Sequence, residues 1–224
     1  MKNLFSTSFR DRDLRQWQFA ARIFWGRALR LFRPLPLPCL PDGRVNLHLG
    51  CGDINHPAFI NIDMAPLSHV HYIRPIDNLK IFGDNSVELI YACHCLEHFS
   101  HRQVPAVLTE WHRVLKGGGV LRLSVPDFDT LVQIYTDNRH DLDTMLYPLM
   151  GSHCNKFDIH KSVFNEKKLT DLLMASGFWK VRRWQPDSTD ITTFGDWSSK
   201  KVTINSKSYL ISLNIEAIKV DRAN

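Results

Sequence analysis

The residues most able to do chemistry begin with Val45-Asn46-Leu47-His48-Leu49-Gly50-Cys51-Gly52, followed by Asn61-Ile62-Asp63. An apolar strand runs into a Gly-x-Gly turn, where the absence of a Cβ lets the backbone bend sharply and approach a ligand closely. An acid at the end of the next apolar run can accept hydrogen bonds from both hydroxyls of a ribose. The pair predicts a nucleoside-containing cofactor. A second group is Cys93-His94-Cys95-Leu96-Glu97-His98. Thiolates and imidazoles bind zinc, but this spacing is not a C-x-x-C knuckle and has no matching second pair. On a strand end these side chains also alternate between faces. No metal is expected there; core and cofactor-lining roles are. The third group is the polar, histidine-rich segment Gly151-Ser152-His153-Cys154-Asn155-Lys156-Phe157-Asp158-Ile159-His160-Lys161. Histidine titrates near neutrality and is the natural general base.

The elements that must position these groups can be read from the apolar pattern. Residues 34–43 hold four prolines and cannot continue a helix. They divide an N-terminal arm, 1–33, from a main domain over 44–224. Within the arm, residues 12–33 read as an amphipathic helix. Leu14, Trp17, Ala21, Phe24, Trp25, Ala28 and Phe32 share one side, and Arg12, Arg15, Arg22, Arg30 and Arg33 the other. After the joint, strands are expected near 45–49, 59–63, 70–74, 87–92 and 119–125, with helices near 101–116, 127–137 and 165–177. Two late strands follow near 179–184 and 207–219. This alternation predicts a doubly wound α/β domain with a mostly parallel sheet, ligands sitting at the carboxyl ends of its strands.

Charge is unevenly spread. The chain of 224 residues has a formal net charge of +5, yet residues 1–33 hold eight basic side chains against Asp11 and Asp13. The main domain is therefore close to neutral, which argues against a nucleic-acid groove across it. Five unpatterned cysteines imply no disulfide framework, so a reducing, cytoplasmic setting is expected. No apolar run approaches the roughly 18 residues of a membrane span, and no signal peptide is evident.

Several segments together resemble class I S-adenosylmethionine-dependent methyltransferases. Leu47-His48-Leu49-Gly50-Cys51-Gly52 is similar to their first motif, and Asp84-Asn85-Ser86-Val87-Glu88-Leu89-Ile90-Tyr91 to their run into the fourth strand. His94-Cys95-Leu96-Glu97-His98-Phe99 looks like the following turn. Glu110-Trp111-His112-Arg113-Val114-Leu115-Lys116-Gly117-Gly118-Gly119 is similar to the helix and glycine turn before strand five, which ends like Ser124-Val125-Pro126-Asp127. Leu169-Thr170-Asp171-Leu172-Leu173-Met174-Ala175-Ser176-Gly177-Phe178 looks like the helix before a C-terminal antiparallel hairpin. The resemblance spans about residues 45–220 and implies a seven-stranded Rossmann-like sheet. Within the class, the chain looks closest to bacterial enzymes associated with surface-sugar assembly.

The resemblance implies S-adenosyl-L-methionine as cofactor, with Gly50, Cys51 and Gly52 under its methionine end and Asp63 on the ribose. Asp77 stands where the family often contacts the adenine amino group, and Cys93, His94 and Leu96 would face the cofactor. The family also places acceptor-binding elements at 151–161. His153 and His160 are then the first candidates for base or acceptor contact and His98 the next, with Asp158 as an orienter and Asp127 as a further acceptor contact. The family usually has an acid where His48 stands and often a third glycine where Ile54 stands. A nicotinamide site fits less well, because position 55 is Asn. The expected reaction is methyl transfer to a hydroxyl of a sugar, glycan or other small, conceivably lipid-linked, acceptor. The alternative is a methyltransferase-like binding or regulatory protein. For the N-terminal helix three fates are open: the apolar stripe packs on the domain and caps the cofactor cleft, it lies on an anionic membrane at the inner face, or it enters a partner's groove.

Overall fold

The computed structural model describes residues 9–153, 157–188, 191–192 and 194–220. Its strands are β1 (Asn46–Leu49), β2 (Ile60–Asp63), β3 (Tyr72–Ile73), β4 (Val87–Cys93), β5 (Leu115–Pro126), β6 (Phe178–Arg183), β7 (Lys201–Ile204), β8 (Lys207–Leu210) and β9 (Ser212–Lys219). Seven of them form one sheet in the order β3-β2-β1-β4-β5-β9-β6. The first five are parallel neighbours, and β9 runs antiparallel to both β5 and β6. The expected doubly wound, mostly parallel sheet is therefore present. Strands β7 and β8 form a separate antiparallel hairpin. The single late strand expected over 207–219 is two strands, parted at Ile211.

Helices α1 (Phe9–Phe32), α2 (Val104–Val114), α3 (Phe128–Asp137), α4 (Asp143–Met150) and α5 (Glu166–Ala175) flank the sheet. Parallel strands covered on both faces must be apolar on both, and Leu47, Leu49, Ile90, Leu121 and Leu123 are fully buried. Helix α2 lays Val104, Val107, Leu108, Trp111 and Val114 onto them at helical spacing, and Trp111 Nε1 donates to the Ile76 carbonyl at 2.8 Å. Lys219 at the end of β9 donates to the carbonyls of His112 and Leu115, both at 2.8 Å, satisfying acceptors at the end of α2. Helix α4 had no clear signal in the sequence, since Pro148 sits inside it.

Chain order reverses between β1 and β4, so the crevice at their carboxyl ends is the topological switch point. Helix α1 docks beside it, but not by its apolar stripe. Phe19, Ile23, Gly26, Arg27 and Arg30 face the domain, whereas Trp17, Phe24, Trp25, Leu31 and Phe32 are exposed, Phe32 by 85%. Gly26 permits the contact: a Cβ there would lie 2.7 Å from Pro66 Cβ and 2.8 Å from Ile73 Cδ1. Arg27 Nε donates to Ile73 O at 2.7 Å, and Arg30 Nε to Val70 O at 2.9 Å. These guanidinium groups satisfy carbonyls at the outer edge of the sheet, the kind of unpaired group an edge strand leaves. The reading in which the apolar stripe packs on the domain is thus corrected. Arginine hydrogen bonds and a glycine contact seat the helix instead.

Far from the crevice, Glu216 of β9 is buried and accepts from Arg122 Nε at 2.7 Å and from Arg182 Nη2 at 2.6 Å. Burial opposes its ionisation, but the two guanidinium groups outweigh that and hold the carboxyl below its usual range. Removing one partner of such a group leaves charge uncompensated. We expect Glu216→Gln to lower the unfolding free energy by about 3 kcal/mol in urea melts, the low end of the range, because Arg182 is largely solvated. A loss within about 0.5 kcal/mol would show that the cluster contributes little.

Candidate functional site

A cavity of about 450 Å³ opens at the switch point. Its floor is the turn after β1. Gly50 and Gly52 have φ of +64° and +51°, in the left-handed region where a side chain is strained. At Gly50 space is limiting as well, since a Cβ would meet Cys95 Cβ at 2.9 Å. Gly50 N donates to Ile62 O and Gly52 N to Asp63 Oδ2, both at 2.9 Å. The other carboxylate oxygen of Asp63 accepts from Ala65 N at 2.7 Å. Asp63 therefore ties the glycine turn to the end of β2. A Cβ built on Gly52 would find nothing within 4 Å, so the turn faces open space there.

One wall is the short turn after β4, and the opposite wall comes from two loops. His94 has φ +49°, a conformation few non-glycine residues adopt and one that recurs at functional sites. Glu97, in the 3₁₀ turn Leu96–His98, is completely buried. Its carbonyl accepts from Lys161 N at 2.7 Å, which stitches the 157–162 loop onto the turn. His160 Nδ1 donates to Pro148 O at 2.9 Å, and His98 Nδ1 to Ile159 O at 3.3 Å. Burial lowers the His160 pKa, although Glu97 pulls the other way. Burial would raise Glu97, yet His94, His98 and His160 together hold it below the usual carboxylate range. Glu97 Oε1 and His160 Nε2 thus face each other at 3.9 Å, each shifting the titration of the other.

Of the residues singled out in the sequence, His48, Gly50, Cys51, Gly52, Ile54, Cys93, His94, His98, Asp158 and His160 line this cavity. The others lie elsewhere. Leu96 points into the core, Asp77 is exposed in the turn after β3, and His153 is exposed outside the cavity. Asp127 is buried at the start of α3, where Thr130 Oγ1 donates to it at 3.0 Å. Cys154 and its two following neighbours lie outside the described residues. Cys95 turns into the core beside Gly50, so Cys93, Cys95 and His98 do not converge. Burial pushes both thiols well up.

Sequence reasoning missed Glu97 and the segment Phe194–Trp197, which also lines the cavity. Phe194 stacks on His48 with centroids 5.1 Å apart, and Tyr91 and Phe59 complete an aromatic box around the imidazole. His48 therefore does not present an acid to the cavity. A carboxylate is supplied instead by Asp196, which accepts from Tyr91 Oη at 2.7 Å. Nothing in Leu96-Glu97 marks the glutamate, because its burial appears only in the fold. Nothing local marks Phe194–Trp197, because the segment reaches the cavity only through the folding of the late loops.

Residues 61–123 match the family model of the methyltransferase domain. The match spans 63 of the 224 residues and falls on the central strands of the Rossmann-like sheet. Similar solved structures include a chain in the complex of the Haloferax volcanii Trm112 methyltransferase activator with its methyltransferase, at 14% identity over 97% of this chain and 100% of that one, TM-score 0.50. The YcgJ protein of Bacillus subtilis is 13% identical over 88% of this chain and 99% of that one, TM-score 0.50. A Burkholderia thailandensis N-methyltransferase, solved with 1,6-didemethyltoxoflavin and S-adenosylhomocysteine, is 18% identical over 93% and 83%, TM-score 0.48. No curated protein matches the chain. The residues present fit the cofactor: open space at Gly52, a glycine floor and a carboxylate-lined cavity large enough for a methionine end.

Burial lowers the His48 pKa to about 4, the largest influence on it, so the protein folds with this imidazole neutral. The unfolded chain protonates it below about 6.5. Stability is therefore lost as the pH falls from about 6.5 to about 4, by about 3 kcal/mol from this residue. The variant His48→Phe should show a shallower loss over that window in urea melts. Parallel curves for the two proteins would rule out His48 as the source.

Proposed function

We propose that the protein transfers the methyl group of S-adenosylmethionine to a hydroxyl of a sugar, glycan or other small acceptor. The observation that carries this reading is the pair of imidazoles, His160 and His98, in the lining of the cavity. His160 Nδ1–H is committed to Pro148 O, so proton exchange at that ring falls to Nε2. The sulfonium already activates the methyl group, and the protein must mainly hold the acceptor in line and take its proton. His160 and His98 are the groups available for that proton, with Asp158 on the same wall. Gly50, Cys51 and Gly52 would bind the methionine end, with Asp196 near its ammonium in place of the acid missing at position 48. Asp63 would exchange a backbone donor for the ribose hydroxyls.

The outer face of α1 supports a second part of the proposal, contact with an anionic membrane and with it a lipid-linked acceptor. Trp17, Phe24, Trp25, Leu31 and Phe32 share an arc of about 120° on the helix and are all exposed. The arm that carries them accounts for the chain's net positive charge, with eight basic side chains against Asp11 and Asp13. Exposed aromatics with flanking arginines are the composition of an interfacial helix. Among the described residues no helix is long and apolar enough to cross a membrane.

Calorimetry with S-adenosylhomocysteine should show binding, and labelled methyl transfer should appear with hydroxyl acceptors among a panel of nucleotide sugars, lipid-linked glycans and phenols. His160→Ala should slow turnover on the order of 100-fold while cofactor affinity holds. Transfer confined to amine acceptors, or an unchanged rate in His160→Ala, would reject the reading. For the helix, the full chain should float with phosphatidylglycerol vesicles and the Trp25→Glu, Phe32→Glu double variant should not. Equal flotation would reject membrane contact.

A further inference from the structure

Glu97 presents a problem the proposed transfer does not solve. It is completely buried, and neither of its carboxylate oxygens accepts a hydrogen bond. The nearest polar side-chain groups are imidazoles: His94 Nδ1 at 3.3 Å and His160 Nε2 at 3.9 Å. A buried anion without donors is costly unless a cation compensates it.

The hydrogen bonds around the cluster fix which ring nitrogens carry protons. His160 Nδ1 and His98 Nδ1 each face a backbone carbonyl, which can only accept, so both donate there and Nε2 is the nitrogen left to ligate. Ser212 Oγ–H is committed to Trp197 O at 2.6 Å. Its oxygen must then accept from His94 Nε2–H at 2.7 Å, which leaves Nδ1 of that ring beside Glu97 at 3.3 Å. An outward N–H bonded to a carbonyl and an inward lone pair is the arrangement that orients metal-ligating histidines. One ligand atom each from Glu97, His98 and His160 lies within 4.8 Å of the other two.

We propose that Glu97, His98 and His160 hold one divalent transition-metal ion, of the zinc type, in the wall of the cavity. Two imidazoles and one carboxylate suit zinc, manganese, iron or cobalt better than the all-oxygen shells of magnesium and calcium. Ligands of tetrahedral zinc stand about 2.0–2.2 Å from the metal, so the three side chains draw together by roughly an ångström on binding. Gly151 allows the loop to close this tightly, since a Cβ there would lie 3.1 Å from the His160 ring. Three protein ligands leave the fourth position open, as in catalytic sites, and His98 and His160 line the cavity.

The role of the ion rests on the hydroxyl-transfer reading above; its binding does not. The acceptor oxygen takes the open position and its proton passes to solvent. As the C–O bond forms, the C–S bond breaks and its electron pair stays on sulfur. With the ion present, the histidines hold metal in place of the proton.

The test uses the full chain, stripped with chelator and dialysed against zinc chloride or cobalt chloride. One ion per chain and visible cobalt absorption bands are expected. Glu97→Gln and His160→Ala should each weaken binding about 100-fold while S-adenosylhomocysteine binding persists. If Glu97→Gln fails to fold, His98→Ala replaces it. No stoichiometric binding at micromolar metal, or full occupancy in the variants, overturns the site. Hydroxyl methylation by a chain that binds no metal overturns the metal site alone. Metal binding without hydroxyl methylation overturns the transfer reading alone.

Discussion

The site depends on one close approach: the turn after β1 against the start of the turn after β4. Gly50 can sit there because it has no Cβ to meet Cys95, and its left-handed φ aims the following residues toward open space. Asp63 fixes the turn from the other side by accepting from Gly52 N. Any side chain at Gly50 would push apart the two strands between which the crevice opens. The cofactor-facing floor, the wall that carries Glu97 and the parallel register of β1 with β4 are thus parts of one packing constraint.

Two departures from the resemblance acquire a physical sense in this frame. His48 lines the cavity from within an aromatic box and is kept neutral by burial, and Asp196 brings a carboxylate to the same region from the far end of the chain. The buried charge that is unusual lies at Glu97, surrounded by imidazoles and by no hydrogen-bond donor of ordinary geometry. Helix α1 is a parallel case. Its arginines, which a helical wheel assigns to solvent, end on carbonyls at the sheet edge, and its aromatic residues are left outside.

Much of the fold could be read from the sequence because parallel strands are apolar on both faces and their order follows from right-handed crossovers. The Gly50–Gly52 turn and Asp63 were legible for the same reason: glycine and an acid at fixed places after apolar runs have few other uses. Residues that act across long separations were not. His160 lies 62 positions after His98, and Phe194–Trp197 follows a further loop, so no local pattern could bring them to one cavity. Asp77, Leu96, Asp127 and His153 were assigned by position in a motif, and the cavity at the switch point is lined by other residues. The orientation of α1 failed to show because amphipathicity says which faces differ, not which face meets the domain.

The most direct test of the account is amide NMR of the labelled chain titrated with S-adenosylhomocysteine. Binding in the crevice predicts saturable shifts at Gly50, Cys51 and Gly52, with Gly52 moving most because its N–H shares Asp63 with the incoming ribose. Saturable binding that leaves those three amides unmoved, or no binding at all, would contradict it.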